Sequence, residues 1–252
     1  SETLTDRLRA LASERDLSLN TILQGAWAVL LARWAGEQDV VFGATRAGRA
    51  GTVPGAEDMV GCLINTLPVR AKLDPTSKVG DWLKALRDSE RQVRPHDQAP
   101  LMAVQGWSEI GAGQPLFESL IVYDHQVLDS QMRAQGEAFA ERRFRLVERT
   151  NYALTLYAYG EPALLLKLAY DEPRFDAALA ERLLDGLVHL LETIAADPEA
   201  PVSSLQLMSA EEAQKVLKDW NATATLYPDQ TCIHQAIEAQ VAEHPDAPAV
   251  VF

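Results

Sequence analysis

The chain has 252 residues, 47% of them hydrophobic, with a formal net charge of −13, enough apolar material to bury the core of one or two domains. That charge, with no Lys/Arg cluster interleaved with aromatics, gives no electrostatic footprint for a phosphate backbone and argues against nucleic acid as a partner. The longest apolar runs fall well short of the ~20 residues that span a bilayer, and no charged segment followed by an apolar one opens the sequence, so no membrane partner and a reducing, cytoplasmic location are expected. Cys62 and Cys232 lie far apart, without CxxC spacing or a histidine cluster, which speaks against a metal site or a disulfide and predicts two small apolar packing residues.

In chain order, Leu4, Leu8 and Leu11 recur at helical spacing behind Thr3, and Ser18 is placed to cap a second helix through Trp27 and Trp34 that Gly36 ends. Residues 39–44 read as a buried strand, residues 46–58 as a glycine-rich loop holding Pro54, and residues 64–73 as a returning strand. Ser77 is expected to open an amphipathic helix with Val79, Trp82, Leu83 and Leu86 on its dry side, fraying near Pro95. Residues 117–123, 144–149, 153–159 and 164–170 are predicted strands, with Glu161 and Pro162 turning between the last two. Asp176 caps a long helix through Leu183, Leu184, Leu187 and Leu190 to Ile194, whose apolar face would lie on that sheet. These later strands are joined too tightly for parallel crossovers, so that part is expected to be antiparallel. The fold class expected is α/β (α+β), a mixed sheet covered by helices.

Composition shifts at residues 195–201, AADPEAP, and a short helix over 211–220 leads into the polar stretch 221–225, which is linker chemistry. Ile233, Ile237 and Val241 make a further helical stripe, and residues 249–252 read as the start of a strand that a following domain would complete.

Four segments occur in a telling order: DVVFGATRAGR at 39–49, VGCLINTLPVR at 60–70, PHDQAP at 95–100 and PLFESLIVYDH at 115–125. In this they resemble the C-terminal half of a condensation domain from nonribosomal peptide synthetases. The tail CIHQAIEAQVAEHPDAPAVVF at 232–252 is similar to the opening of an adenylation domain. The resemblance divides the chain into a C-terminal lobe of a condensation domain (1–205), an interdomain linker (206–226) and a truncated start of an adenylation domain (227–252).

The resemblance implies a chloramphenicol-acetyltransferase-like lobe, one of two, with a tunnel between them that two carrier-borne 4′-phosphopantetheine arms enter from opposite faces. The partners it implies are the N-terminal condensation lobe, peptidyl or acyl carrier domains and a downstream adenylation domain. Members of that family draw a catalytic histidine from an HHxxxDG motif, and no stretch here matches it. No catalytic residue is therefore expected in this chain, and the fragment is expected to be inactive by itself. The implied reaction is amide-bond formation between a carrier- or CoA-bound donor and a carrier-bound aminoacyl acceptor. The segment GWSEIGAGQ at 106–114 and its neighbour look closer to a subgroup with lipoinitiating members, which makes an acyl-CoA donor a candidate beside a peptidyl one. A catalytically silent domain that recruits a carrier or an enzyme is the competing class.

Asn65 matches the family's asparagine near the tunnel, where its amide can donate and accept toward an acyl or pantetheine amide; a turn asparagine satisfying local backbone is the other reading. Gly61 and Thr66 are grouped with it as tunnel residues. Arg70, five residues along the strand, points to the opposite face and reads as an ion-pair residue, and Arg49 as a structural or inter-lobe residue of the glycine-rich loop. His96 departs from the family pattern and reads as a packed or capping histidine, as does His189 among leucines. Asp124 and His125 alternate along a strand and cannot form a dyad from that segment. With no HExxH, GxSxG or EF-hand pattern, no metal is expected in this lobe.

Overall fold

Ser1 accepts the Leu4 N–H and starts helix α1 at Glu2–Arg15, so the cap lies ahead of Thr3. Helix α2, Leu19–Ala35, begins where Ser18 Oγ accepts the Thr21 N–H at 3.0 Å and ends at Gly36 in the left-handed region (φ 71°). Burial on nearly every side of α2, from Ile22 through Leu30, marks it as a central helix. A Cβ on Gly25 would stand 2.2 Å from Leu83 Cδ2, so glycine sets the approach of α2 to helix α3, Val79–Val93. The computed structural model describes residues 1–49, 54–56, 58–111, 113–126, 132, 136, 142, 147–226 and 230–251, with the backbone alone at His125 and Gln126.

The strands are β1 (Asp39–Arg46), β2 (Asn65–Lys72), β3 (Ser119–Gln126), β4 (Leu154–Glu161) and β5 (Leu165–Tyr170). They form one mixed sheet in the order β2-β1-β3-β4-β5. β1 with β2 and β4 with β5 are antiparallel; β1 with β3 and β3 with β4 are parallel. The tight β4–β5 connection gives the antiparallel pair expected, whereas β4 runs parallel to β3, across the long intervening segment that a parallel crossover needs. Of the strand expected over 144–149, residues 147–149 are not in a strand and the rest lie outside the described residues.

Alternation along the strands puts Phe42, Ala44, Val69, Ile121, Leu156 and Ala158 on one face, in a single cluster with Leu8, Trp27, Leu83 and Leu187 from the helices. Helix α5, Ala177–Ala196, lies on this face with Asp176 accepting the Leu179 N–H. Between α3 and β3 come a 3-10 turn, Arg94–His96, and helix α4, Leu101–Trp107.

Ser77 does not open α3. Its hydroxyl donates to Asp74 at 2.8 Å, and the orphan N–H groups of the first turn go to backbone instead, Val79 N to Ala200 O at 2.9 Å and Gly80 N to Pro198 O at 2.8 Å. Glu199 reinforces this seam by pairing with both Lys78 and Arg15. These two cations hold its carboxyl at about 2, well below the usual carboxylate range.

Ser1–Ser209 and Ala210–Phe252 form two compact units. In the second unit, α6 (Ala210–Gln214) continues as a π-helical turn, Lys215–Asp219, and α7 spans Ile233–Glu243 with its stripe of Ile233, Ile237 and Val241 exposed. Residues 249–251 are not in a strand, because a strand needs a neighbour to take its backbone bonds. Neither cysteine packs apolar surface. Both are exposed, Cys62 in the loop before β2 and Cys232 at the N-cap of α7, where its N–H donates to Gln235 Oε1 at 2.9 Å.

Two outcomes follow from this packing. Phe42→Ala removes a fully buried ring and should lower the unfolding free energy by about 3–5 kcal/mol in urea titration. The stabilisation from Glu199, whose folded pKa is depressed, is fully present above the unfolded carboxylate range and lost as pH falls through about 2. The urea-midpoint difference between wild type and Glu199→Gln should therefore be constant near neutrality and shrink as the pH is lowered from that range toward 2.

Candidate functional site

Strand β1 ends at Arg46 directly opposite Asn65, where β2 begins. Both residues share the parity of Ala44 and Leu67 and point to the helix-packed face. A cation at the edge of an apolar face requires a partner; Arg46 finds Glu90 of α3, the two side chains only 18% and 12% exposed.

Asn65 Nδ2 donates to the carbonyls of Asp97 and Ala99, both at 2.8 Å, and Oδ1 accepts the Thr66 N–H at 2.9 Å. Both donors are committed and one acceptor lone pair remains, so Asn65 fixes the segment that follows the 3-10 turn. Gln98, between those two carbonyls, donates to Gly48 O at 2.8 Å and ties this segment to the glycine-rich connection. Gly48 sits at φ 66°, and a Cβ there would come within 2.1 Å of Leu63 O, so only glycine fits.

Arg49 organises the rest of the connection. Its Nη1 donates to Ala56 O and Met59 O at 2.8 and 2.7 Å, and its Nη2 to Gly61 O at 2.8 Å, a fork that uses carbonyls where a carboxylate would otherwise stand. Gly61 has φ 153°. Thr66 and Arg70 point to the sheet face opposite Asn65, and Arg70 grips Asp39 through Nε and Nη2 at 2.9 and 2.7 Å. That pairing holds the Asp39 carboxyl below, and the Arg70 guanidinium above, its ordinary value. On the same face burial raises the phenols of Tyr157 and Tyr159, keeping them as hydroxyl donors.

The residues grouped for the tunnel therefore divide. Asn65 faces the helices, Thr66 faces away from them, and Gly61 lies in the loop that Arg49 holds. His96 is exposed, not packed. The 3-10 turn buries its neighbour Asp97 instead, and what His96 contributes is its carbonyl, which accepts the Ala99 N–H at 2.8 Å. His189 is half-buried on α5, and the side chain of His125 lies outside the described residues.

Gln98 and Glu90 were not anticipated. Glu90 falls four residues after Leu86 on the dry stripe of α3, a position where a carboxylate signals a buried partner. Among the described residues no three His, Cys, Asp or Glu side chains gather to hold a metal, and no helix is long and apolar enough to cross a membrane. A cavity of about 520 Å³ opens at the other end of the sheet, between residues 148–153 and 169–174. Its Arg174 is already paired with Glu118 at 3.1 and 2.9 Å.

Residues 1–217 match the family model described as the condensation domain. The chain belongs to the condensation-domain family. It is 39% identical over 98% of its length to one linear gramicidin synthase protein of Brevibacillus parabrevis, and 40% identical over its whole length to a second protein of that synthase, yet spans only 3% and 5% of them. It is 33% identical over its whole length to surfactin synthase subunit 3 of Bacillus subtilis (strain 168), of which it spans 20%. Among solved structures it resembles a four-domain nonribosomal peptide synthetase bound to AMP and glycine, with a TM-score of 0.80 at 19% identity over 98% of this chain and 20% of that one. It also resembles the first condensation domain of the CDA synthetase, with a TM-score of 0.63 at 17% identity over 82% of this chain and 46% of that one. The fold is the chloramphenicol-acetyltransferase-like fold of condensation domains.

Arg49→Ala releases the carbonyls of Ala56, Met59 and Gly61 together. Amide exchange over residues 58–64 should quicken by about tenfold or more, while exchange in α2 stays unchanged, as read by mass spectrometry.

Proposed function

We propose that this chain supplies the C-terminal lobe of a nonribosomal peptide synthetase condensation domain, over residues 1–205, followed by a linker and the first residues of an adenylation domain from 227. The observation that carries the reading is coverage. Most of this chain superposes on slightly under half of single condensation-domain chains, 82% against 46% for one and 80% against 47% for another. The N-terminal lobe is then the immediate partner. Val60, Ile64, Met102 and Trp107, from 65% to 105% exposed, support this as an apolar fringe beside Asn65.

The reaction is amide-bond formation. The amine of a carrier-bound aminoacyl group attacks the thioester carbonyl of a carrier- or CoA-bound donor, the C–N bond forms, the C–S bond breaks, and the amine proton leaves as the donor thiol is released. Phosphopantetheine on the carrier domains delivers the thioesters. The histidine motif belongs to the other lobe, and what this lobe contributes is position: Asn65 and Gln98 hold residues 97–99 against the end of β1, and Thr66 on the opposite face is the tunnel-side candidate. A lipoinitiating donor finds its support in the segment at 106–114 and in the fold likeness to a starter condensation domain of rhizomide synthetase in complex with C8-CoA.

Purified alone, the chain should give no condensation, and adding the N-terminal lobe should restore it. In the two-lobe domain Asn65→Ala should lower turnover by roughly 10- to 100-fold by loosening geometry while circular dichroism stays native. Turnover by the single lobe overturns the reading. Loaded carriers that bind the two-lobe domain without reacting point to the recruiting class, and octanoyl-CoA against a peptidyl carrier decides the donor.

A further inference from the structure

Two of the carbonyls that Arg49 takes flank a single residue. Its Nη1 donates to Met59 O and its Nη2 to Gly61 O, so the backbone on both sides of Val60 is pinned while the Val60 side chain stands fully exposed. A lone exposed aliphatic side chain calls for no account. Here a guanidinium holds one outward, with Met59 and Ile64 also exposed beside it in the chain.

The same guanidinium keeps an open edge. Of the five N–H donors of an arginine, Arg49 commits two from Nη1 and one from Nη2. What remains is Nε–H and one N–H on Nη2, the nitrogens with which Arg70 grips Asp39. Arg49 is half-buried, yet its Nε is not one of the buried atoms that lack a partner, so water reaches it. In a chain with 36 acidic residues, Arg49 pairs with no carboxylate among the described residues; Glu57 lies outside them.

We propose that Val60 and the open edge of Arg49 form one docking element for the N-terminal lobe, which meets it with an apolar pocket rimmed by a carboxylate. Covering Val60 also covers the guanidinium edge, and a cation taken out of water needs an anion with matching geometry. An aliphatic anchor beside a desolvated charge pair is the arrangement that carries specific docking. The choice of occupant rests on the function proposed above, since that lobe would account for the part of single condensation-domain chains that this chain leaves uncovered. A second copy is the poorer fit, because a two-fold contact would set Arg49 against Arg49. The pinned loop leads into Asn65, so Arg49 couples lobe docking to the segment that Asn65 fixes. It is a positioning residue.

The test is nitrogen-15 NMR of the arginine Nε–H groups in this chain alone and in the domain with both lobes, with Arg49→Lys identifying the Arg49 signal. In the chain alone Arg49 Nε–H should exchange as an open guanidinium does, and in the two-lobe domain about tenfold or more slowly. Replacing one Asp or Glu of the N-terminal lobe by its amide should restore fast exchange. Val60→Asp, at a side chain wholly exposed in the chain alone, should restore it too, with circular dichroism unchanged. Equal exchange in both forms overturns the docking element, and a two-lobe domain that still condenses then keeps the proposed function without it. Slow exchange in the chain alone also overturns it: release by Glu57→Gln assigns the partner to the loop itself, and slowing that grows with concentration assigns it to a second copy. Protection that survives Val60→Asp and every carboxylate replacement overturns it as well. Protection in a two-lobe domain that fails to condense, released by those changes, upholds the docking element and removes only the reaction.

Discussion

The antiparallel register of β1 against β2 is the constraint on which the rest of the unit over Ser1–Ser209 depends. Because side chains alternate with a period of two, the pairing of Arg46 with Asn65 sends both toward the helices and sends Thr66 and Arg70 the other way. Slipping the pairing by one residue would drive Val40, Phe42 and Ala44 out of the core and expose the faces of α2 and α3 that meet them. The register is held at both ends by side chains. Arg70 binds Asp39 across one end, and at the other Asn65 and Gln98 tie the loops after α3 and β1 together.

Most of the architecture was legible in the residues. Ser18, Gly36 and Asp176 mark helix ends by mechanisms that act locally, and they act as expected. The β4–β5 pairing followed from a connection too short to be anything else. What failed was non-local. Ser77 has every local qualification to open α3, yet the carbonyls of Pro198 and Ala200 take the N–H groups it would have capped, and nothing near Ser77 in sequence announces them. Cys62 and Cys232 were judged by residue type, whereas their positions in a loop and at a helix end decide their exposure.

The site shows the same division. Asn65 stands out in the sequence by its motif, but the carbonyls of Asp97 and Ala99 that its amide takes lie more than 30 residues away and are announced by nothing near it. The partnership of Arg46 with Glu90 needed two facts together, the parity of Arg46 on β1 and the position of Glu90 on the dry stripe of α3. Gln98 carried no signal at all, since a glutamine in a loop is satisfied by water unless the fold brings it a carbonyl such as that of Gly48.

The seam that closes α3 has a bearing on synthesis. Lys78 and Glu199, which pair across it, stand 121 positions apart in the chain. A ribosome making this chain would release α2, the β1–β2 hairpin and α3 long before the residues that complete the first turn of α3 emerge. Until then the N–H groups of Val79 and Gly80, which go to Ala200 and Pro198 in the folded chain, have only water to bond. The seam can therefore close only once the segment after α5 has left the exit tunnel.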